Sequence, residues 1–310
     1  MDNKFKDSLR VARGIEVDED YYANSYLDNI YSSQMAEKHI RMFCKGEGKE
    51  LLPKDGKKEK GACIYSSSML AYNFFSWIDD GHPLEFDGVK YNRVIFEEQF
   101  RVLSSRHNRA NLDVVLVSED NKTILLIESK FTEHFKLGKV EISGAYYNNG
   151  SYFRDDNNGS CFKDGSRWTG VFESIRDKMT NDEKAYFEGI KQVACHLVGI
   201  SNVIQNELAR DWFNHNSWLH HIEGIDLNGD ETFIFKSIIF CPNDGLEKIR
   251  SENYRELNKT FVSRLDFLPM NLIIDDPIIT YRELWNNGVE KSITDEDLKA
   301  FLNKYLEVHE

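Results

Sequence analysis

The chain has 310 residues, 41% of them hydrophobic and 13% aromatic, with a formal net charge of −13. That length and apolar content suit a packed core. The acidity excludes a protein that coats nucleic acid through overall basic charge, though not an enzyme with local basic patches. No apolar run approaches the roughly 20 residues of a membrane span, and MDNKFKDSLR lacks the apolar stretch of a secretory signal. Cys44, Cys63, Cys161, Cys195 and Cys241 are scattered, with no C-x-x-C pair or Cys/His cluster. Neither structural zinc nor a disulfide framework is expected, and the expected compartment is the cytoplasm.

In residues 1–45, Tyr26, Ile30 and the run Met35 to Phe43 are spaced as one or two helices packing on the core. Lys45 to Gly61 is a glycine- and lysine-rich stretch that reads as a solvated loop. Ser66 to Asp79, SSSMLAYNFFSWID, begins with capping serines and predicts a helix carrying Leu70, Phe74, Phe75 and Trp77. Asn73 within it is placed either to hydrogen-bond inside the core or to reach toward the site, the structural role being favoured. Tyr91 to Leu103 predicts a strand. Val94, Phe96, Glu98 and Phe100 share one face, expected to meet the core; Ile95, Glu97, Gln99 and Arg101 share the other. Ser104 to Arg109 is a loop, and Arg101, Arg106, His107 and Arg109 make the densest basic patch nearby. Guanidinium groups there suit phosphate contact.

Asn111 to Glu133, NLDVVLVSEDNKTILLIESKFTE, holds two β-branched runs, Leu112–Val117 and Thr123–Ser129, around the polar Ser118–Lys122. It predicts a β-hairpin. Asp113, Glu128 and Lys130 interrupt the apolar runs. Glu128 and Lys130, two apart, point to the same face, and Asp113 joins it if the register permits. A carboxylate in an apolar run needs a partner or a metal, and two together raise each other's pKa unless a cation intervenes. Oxygen-only ligation favours Mg²⁺ or Mn²⁺. A lysine beside the pair suits metal-assisted phosphodiester hydrolysis; the alternative is a salt bridge between Lys130 and Glu128 on an exposed hairpin.

Residues 135–182 read as irregular, rich in Gly, Asn and Asp, with Tyr146, Tyr147, Tyr152, Phe153 and Trp168 placed either to stack on bases beside Arg154 and Arg167 or to anchor the loop. Asn181 to Glu207 predicts an amphipathic helix through Tyr186, Ile190, Val193, Leu197 and Ile200, with Gln192 and His196 on one face. Glu231 to Cys241 predicts a strand. Leu246–Phe261 predicts a helix, Asn271–Ile274 a short strand, and Thr294 to Leu306 a terminal helix.

Asp113, fourteen residues and then Glu128-Ser129-Lys130 resembles the bipartite signature of the PD-(D/E)xK nuclease superfamily, with Leu112 where the family name has proline. The resemblance implies an α/β fold: a restriction-endonuclease-like core at about 66–241, ordered helix, strand, strand, strand, helix, strand, its mixed sheet flanked by helices. Residues 1–65 are then an N-terminal helical extension and 242–310 a C-terminal α/β extension of one domain. It further implies an Mg²⁺- (or Mn²⁺-) dependent nuclease acting on DNA in preference to RNA. Asp113, Glu128 and the Ser129 carbonyl would hold the metal, and Lys130 would orient water or stabilise the phosphorane. Glu97 (with Glu98 second) and Gln192 would complete the site, and Arg101, Arg106 and Arg109 would contact phosphates.

Overall fold

The computed structural model describes residues 3–32, 39, 41–43, 51–53, 56–102, 109–135, 142, 144–146, 165–178, 187–204, 221–222, 225–227 and 229–309. The first helix, α1, is Asn3–Arg13, burying Phe5 and Leu9. It lies earlier than the spacing of Tyr26 and Ile30 predicts. Tyr26–Asn29 is a single 3₁₀ turn closed by a Ser25–Asp28 capping box, and most of 33–50 lies outside the described residues. The expected capped helix is present as α2, Ser67–Phe75. Ser66 Oγ accepts from Met69 N at 3.3 Å, and Trp77 falls just beyond the helix. Every residue of α2 from Ser68 onward is buried, as its apolar run requires.

Seven strands form one mixed sheet. β1 (Leu84–Phe86), β2 (Val89–Arg101), β3 (Arg109–Ser118) and β4 (Thr123–Lys130) pair in antiparallel sequence. Asn121, at φ +59, turns the predicted β3–β4 hairpin, a conformation asparagine tolerates better than most residues. After β4 the chain crosses over through α3 (Gly165–Lys178) and α4 (Phe187–Ile204). α3 falls in the stretch read as irregular; its buried Trp168, Phe172 and Ile175 repeat at helical spacing. A two-stranded ribbon, β5 (His221–Ile222) with β6 (Ile225–Asp226), follows. β7 (Thr232–Ile239) then runs parallel to β4. β7 leads into α5 (Gly245–Val262). The edge beyond β7 is shared by β8 (Leu272–Ile273) and β9 (Ile278–Thr280), both parallel to it. The chain closes with α6 (Tyr281–Leu284), a π turn over Trp285–Val289, α7 (Glu290–Ser292) and α8 (Glu296–Leu306).

Both faces of the sheet are covered. On one, Leu125 and Ile127 pack with α1, α2 and the C-terminal helices; on the other, Ile124 and Leu126 pack with α3 and α4. A strand covered on both sides needs continuous apolar residues, as in TILLI of β4. The N- and C-terminal parts are therefore one of the two layers over the core sheet. Gly288, in the π turn, lies against β1, where a Cβ would press into the Glu85 carbonyl and stand 3.3 Å from Phe86 Cδ2.

That layer is pinned by a buried polar network. Asn73 Nδ2 donates to Asn29 O (3.0 Å) and Tyr305 OH (2.9 Å), and Asn73 Oδ1 accepts from Tyr31 N (3.0 Å). Arg13 donates to Asn29 Oδ1 at 3.1 Å and to Tyr305 OH, with its guanidinium 4.0 Å from the Tyr305 ring centre. Asn73 is thus structural, as the sequence reading expects. Asn73→Ala removes three hydrogen bonds, leaving Asn29 O and Tyr305 OH with Arg13 alone, and is expected to lower stability by about 2–4 kcal/mol, read from the denaturant midpoint at unchanged slope. A loss under about 0.5 kcal/mol contradicts the network's role.

Candidate active site

The β3–β4 ladder runs from Val117↔Ile124 to Val114↔Ile127. One step further the register sets Asp113 opposite Glu128, but the backbone ladder ends. Instead Asp113 Oδ2 accepts from Ser129 N at 2.7 Å. On the other side, Phe96↔Val114 and Glu98↔Leu112 bracket Glu97 against Asp113. Glu97 has φ +55, uncommon for a residue with a side chain and costing about 1–3 kcal/mol.

At these two residues both strands change face. Val94, Phe96, Val114 and Leu116 pack with the α2 layer, whereas Phe100, Ala110 and Leu112 pack with the α3–α4 layer. The expected alternation along β2 therefore fails beyond Glu97, and both its faces meet core. The parting of the strands and the change of face bring Asp113 into the charge field of both Glu128 and Glu97.

Glu97, Glu128 and Lys130 are 8%, 4% and 6% exposed, so the Lys130–Glu128 salt bridge of the alternative is present, but on a buried hairpin rather than an exposed one. Glu128 has two basic neighbours: Lys130 Nζ donates to its Oε1, and His196 Nε2 on α4 stands 2.9 Å from its Oε2. Burial raises the Glu128 carboxyl, but His196 and Lys130 outweigh it and hold the group down at about 2. Burial alone lowers the Lys130 ammonium; Glu128, Glu133 and Asp113 together leave it raised. Asp113 goes the other way. It is half-buried by exposure yet deeply surrounded, and desolvation, then the charges of Glu128 and Glu97, push its carboxyl well above the usual range.

Further anticipated residues take varied places. Ser129 faces the opposite layer, its Oγ 3.1 Å from Ser67 O and 2.7 Å from Tyr281 OH. Ser68 Oγ makes a long contact, 3.5 Å, with Glu97 Oε1; Glu98 is half-buried. Gln192 is half-buried one turn before His196, and it is His196 that reaches Glu128. Arg101 and Arg109 are paired in the β2–β3 ladder, but their side chains, and Arg106 and His107 entirely, lie outside the described residues.

Three polar groups around Lys130 go beyond the anticipated set. Glu133 Oε2 accepts from Phe131 N (2.9 Å) and Thr132 N (3.0 Å). Ser237 pairs with Glu128 in the β4–β7 ladder. Tyr254 on α5 interacts electrostatically with Lys130. Glu133 was visible as a carboxylate three residues past Lys130; Ser237 and Tyr254 need the sheet order and helix docking to find.

Among the described residues, no three His, Cys, Asp or Glu side chains gather tightly enough to hold an ion. The donor set still fits Mg²⁺, which commonly takes one or two carboxylates and completes its shell with water and phosphate oxygens. A cation beside Asp113 also relieves the repulsion that raises its carboxyl. Among the described residues no helix is long and apolar enough to cross a membrane.

His134 lies at the edge of this region, its Nε2 3.0 Å from Ser251 Oγ, with burial lowering it to about 4. A depressed histidine contributes stability above its unfolded pKa, near 6.5, and loses it as pH falls through about 4. Glu128, depressed to about 2, begins to lose its contribution only near the foot of that window, and does so equally in both proteins. Wild type is therefore expected to lose roughly 2–4 kcal/mol more than His134→Gln between pH 7 and 4, measured by denaturant melts; parallel curves contradict it.

The chain matches no family model, no curated protein and no solved structure.

Proposed function

We propose that the chain is a divalent-metal-dependent phosphodiesterase of the PD-(D/E)xK type, a nuclease acting on DNA. One observation carries this reading. Asp113 and Glu128 occupy opposed positions where the β3–β4 ladder opens, with Lys130 bound to Glu128. The order α2, β2, β3, β4, α4, β7 agrees with that expected of a restriction-endonuclease-like core, with β1 and α3 as additions.

In this reading Asp113 and Glu128 hold Mg²⁺ or Mn²⁺, with the Ser129 carbonyl beside them. The metal supplies Lewis acidity and lowers the pKa of bound water. Lys130, kept protonated by the surrounding carboxylates, orients the attacking water and offsets charge developing on the phosphorane. Glu97 stabilises the cation through the field it shares with Asp113, and Gln192 positions substrate or water from α4. Arg101, Arg106 and Arg109 contact the phosphate backbone from the β2–β3 end.

A second reading, an inactive nuclease-fold module that binds nucleic acid or protein, is favoured by the burial of Glu128 and Lys130 and their internal pairing with His196. Removal of charge at Asp113 separates the two. Asp113→Asn keeps an acceptor for Ser129 N while removing a carboxylate disfavoured by burial and by Glu128 and Glu97. It is expected to abolish Mg²⁺-dependent cleavage of plasmid DNA, while stabilising the metal-free protein at pH 7 by about 1 kcal/mol or more. Calorimetry is expected to show Mg²⁺ binding to wild type at millimolar concentration and none to the variant. Full cleavage by Asp113→Asn contradicts the nuclease reading; a wild type that neither binds metal nor cuts leaves the module.

A further inference from the structure

Tyr254 is 1% exposed on α5. Its ring fills the space left by Gly189 on α4, where any Cβ would overlap the phenol. The His134 ring packs against it, centroids 5.4 Å apart. So the tyrosine is fixed by two helices and a loop, with its hydroxyl buried. Neither that hydroxyl nor the buried Ser237 Oγ, on the residue paired with Glu128, has a partner at full hydrogen-bonding distance; the two meet each other in a weak contact. A buried hydroxyl without a partner costs about 1–3 kcal/mol, so its retention asks for a reason.

Lys130 supplies one. Its ammonium and the Tyr254 phenol lie in each other's field. In the metal-free protein Lys130 Nζ donates to Glu128, the carboxylate assigned above to the cation. Once Glu128 turns to a cation, Lys130 needs another acceptor, because a buried charge left unpaired is strongly destabilising. Glu133 shares the charge, but its Oε2 is already engaged by two backbone N–H groups. The Tyr254 oxygen has only the weak contact with Ser237, which leaves a lone pair for the ammonium, and it is held in place by packing.

We infer that Tyr254 is a positioning residue whose hydroxyl takes over the Lys130 ammonium when Glu128 binds a divalent cation, holding it toward the scissile phosphate. The inference rests on the metal-dependent reading of the preceding section.

The test is Tyr254→Phe, which keeps the ring against Gly189 and His134. Deleting a hydroxyl whose one contact is the weak one with Ser237 is expected to leave the metal-free melting temperature unchanged or higher. Mg²⁺-dependent kcat is expected to fall about tenfold or more with KM within about twofold, and the rise in melting temperature at saturating Mg²⁺ to be smaller than in wild type. A lowered metal-free melting temperature makes the hydroxyl structural and overturns the inference. So does a variant matching wild type in both kcat and Mg²⁺-induced shift. If wild type itself shows neither cleavage nor a shift with Mg²⁺, the metal-dependent reading fails and takes the inference with it. If wild type shows both and the variant equals it, only the role of Tyr254 falls.

Discussion

The pairing of β3 with β4 stops one residue short of Asp113, and the hydrogen bond from Ser129 N to the Asp113 carboxylate replaces the missing rung. A backbone donor that loses its ladder partner must find another acceptor. Using a side chain for this holds a carboxylate at the plane where the two strands separate. Glu97, in a left-handed conformation on the other neighbour, lets β2 follow β3 through the same change of face. Without that paired distortion the strand alternation would continue, and Asp113 would be an ordinary inward residue of a two-sided sheet.

The charges around this point are unequal in a consistent way. Glu128 is compensated, by Lys130 and by His196, and stays ionised well into acid. Asp113 is under-compensated: one backbone donor and a share of Lys130 stand against burial and two carboxylates. A buried ion pair is poor evidence for stability, since apolar residues of like volume usually serve as well. An under-compensated acid next to it is worse than neutral for the metal-free fold. Such a cost is retained at sites rather than at scaffolds.

Much of the scaffold was legible because its signals are local. The hairpin follows from two β-branched runs around Ser118–Lys122, and α2 from Ser66 before an apolar run. The face shared by Glu128 and Lys130 follows from the two-residue period of strands, whereas the place of Asp113 depended on the hairpin register. What was not legible depends on geometry without a residue-type signal. A positive φ at a glutamate is not announced by the residue, so the switch of face in β2 was missed. α3 was hidden because glycine and asparagine around it outweighed the Trp168–Phe172–Ile175 repeat. α1 carries charges that masked Phe5 and Leu9. Residues 1–65 and 242–310 read as extensions of the core, yet Arg13, Asn29 and Tyr305, bonded to one another and to Asn73, show them closing one layer of it.

His196 and Tyr254 illustrate why a site of this kind exceeds its motif. A motif read along one hairpin gives residues from β3 and β4 only. The crossover to a parallel β7 brings α4 over Glu128 and sets Ser237 beside it, and α5 docks against α4 at Gly189, where the absence of a side chain admits the Tyr254 ring. Each step places one polar group in a dry interior near Lys130, and a polar group in such a place strengthens electrostatic interactions that water would screen. Lys130 thus has electrostatic neighbours in both the sheet and the helical layer. The sheet therefore carries both the acids and the ammonium, and the helices set His196 and Tyr254 around them.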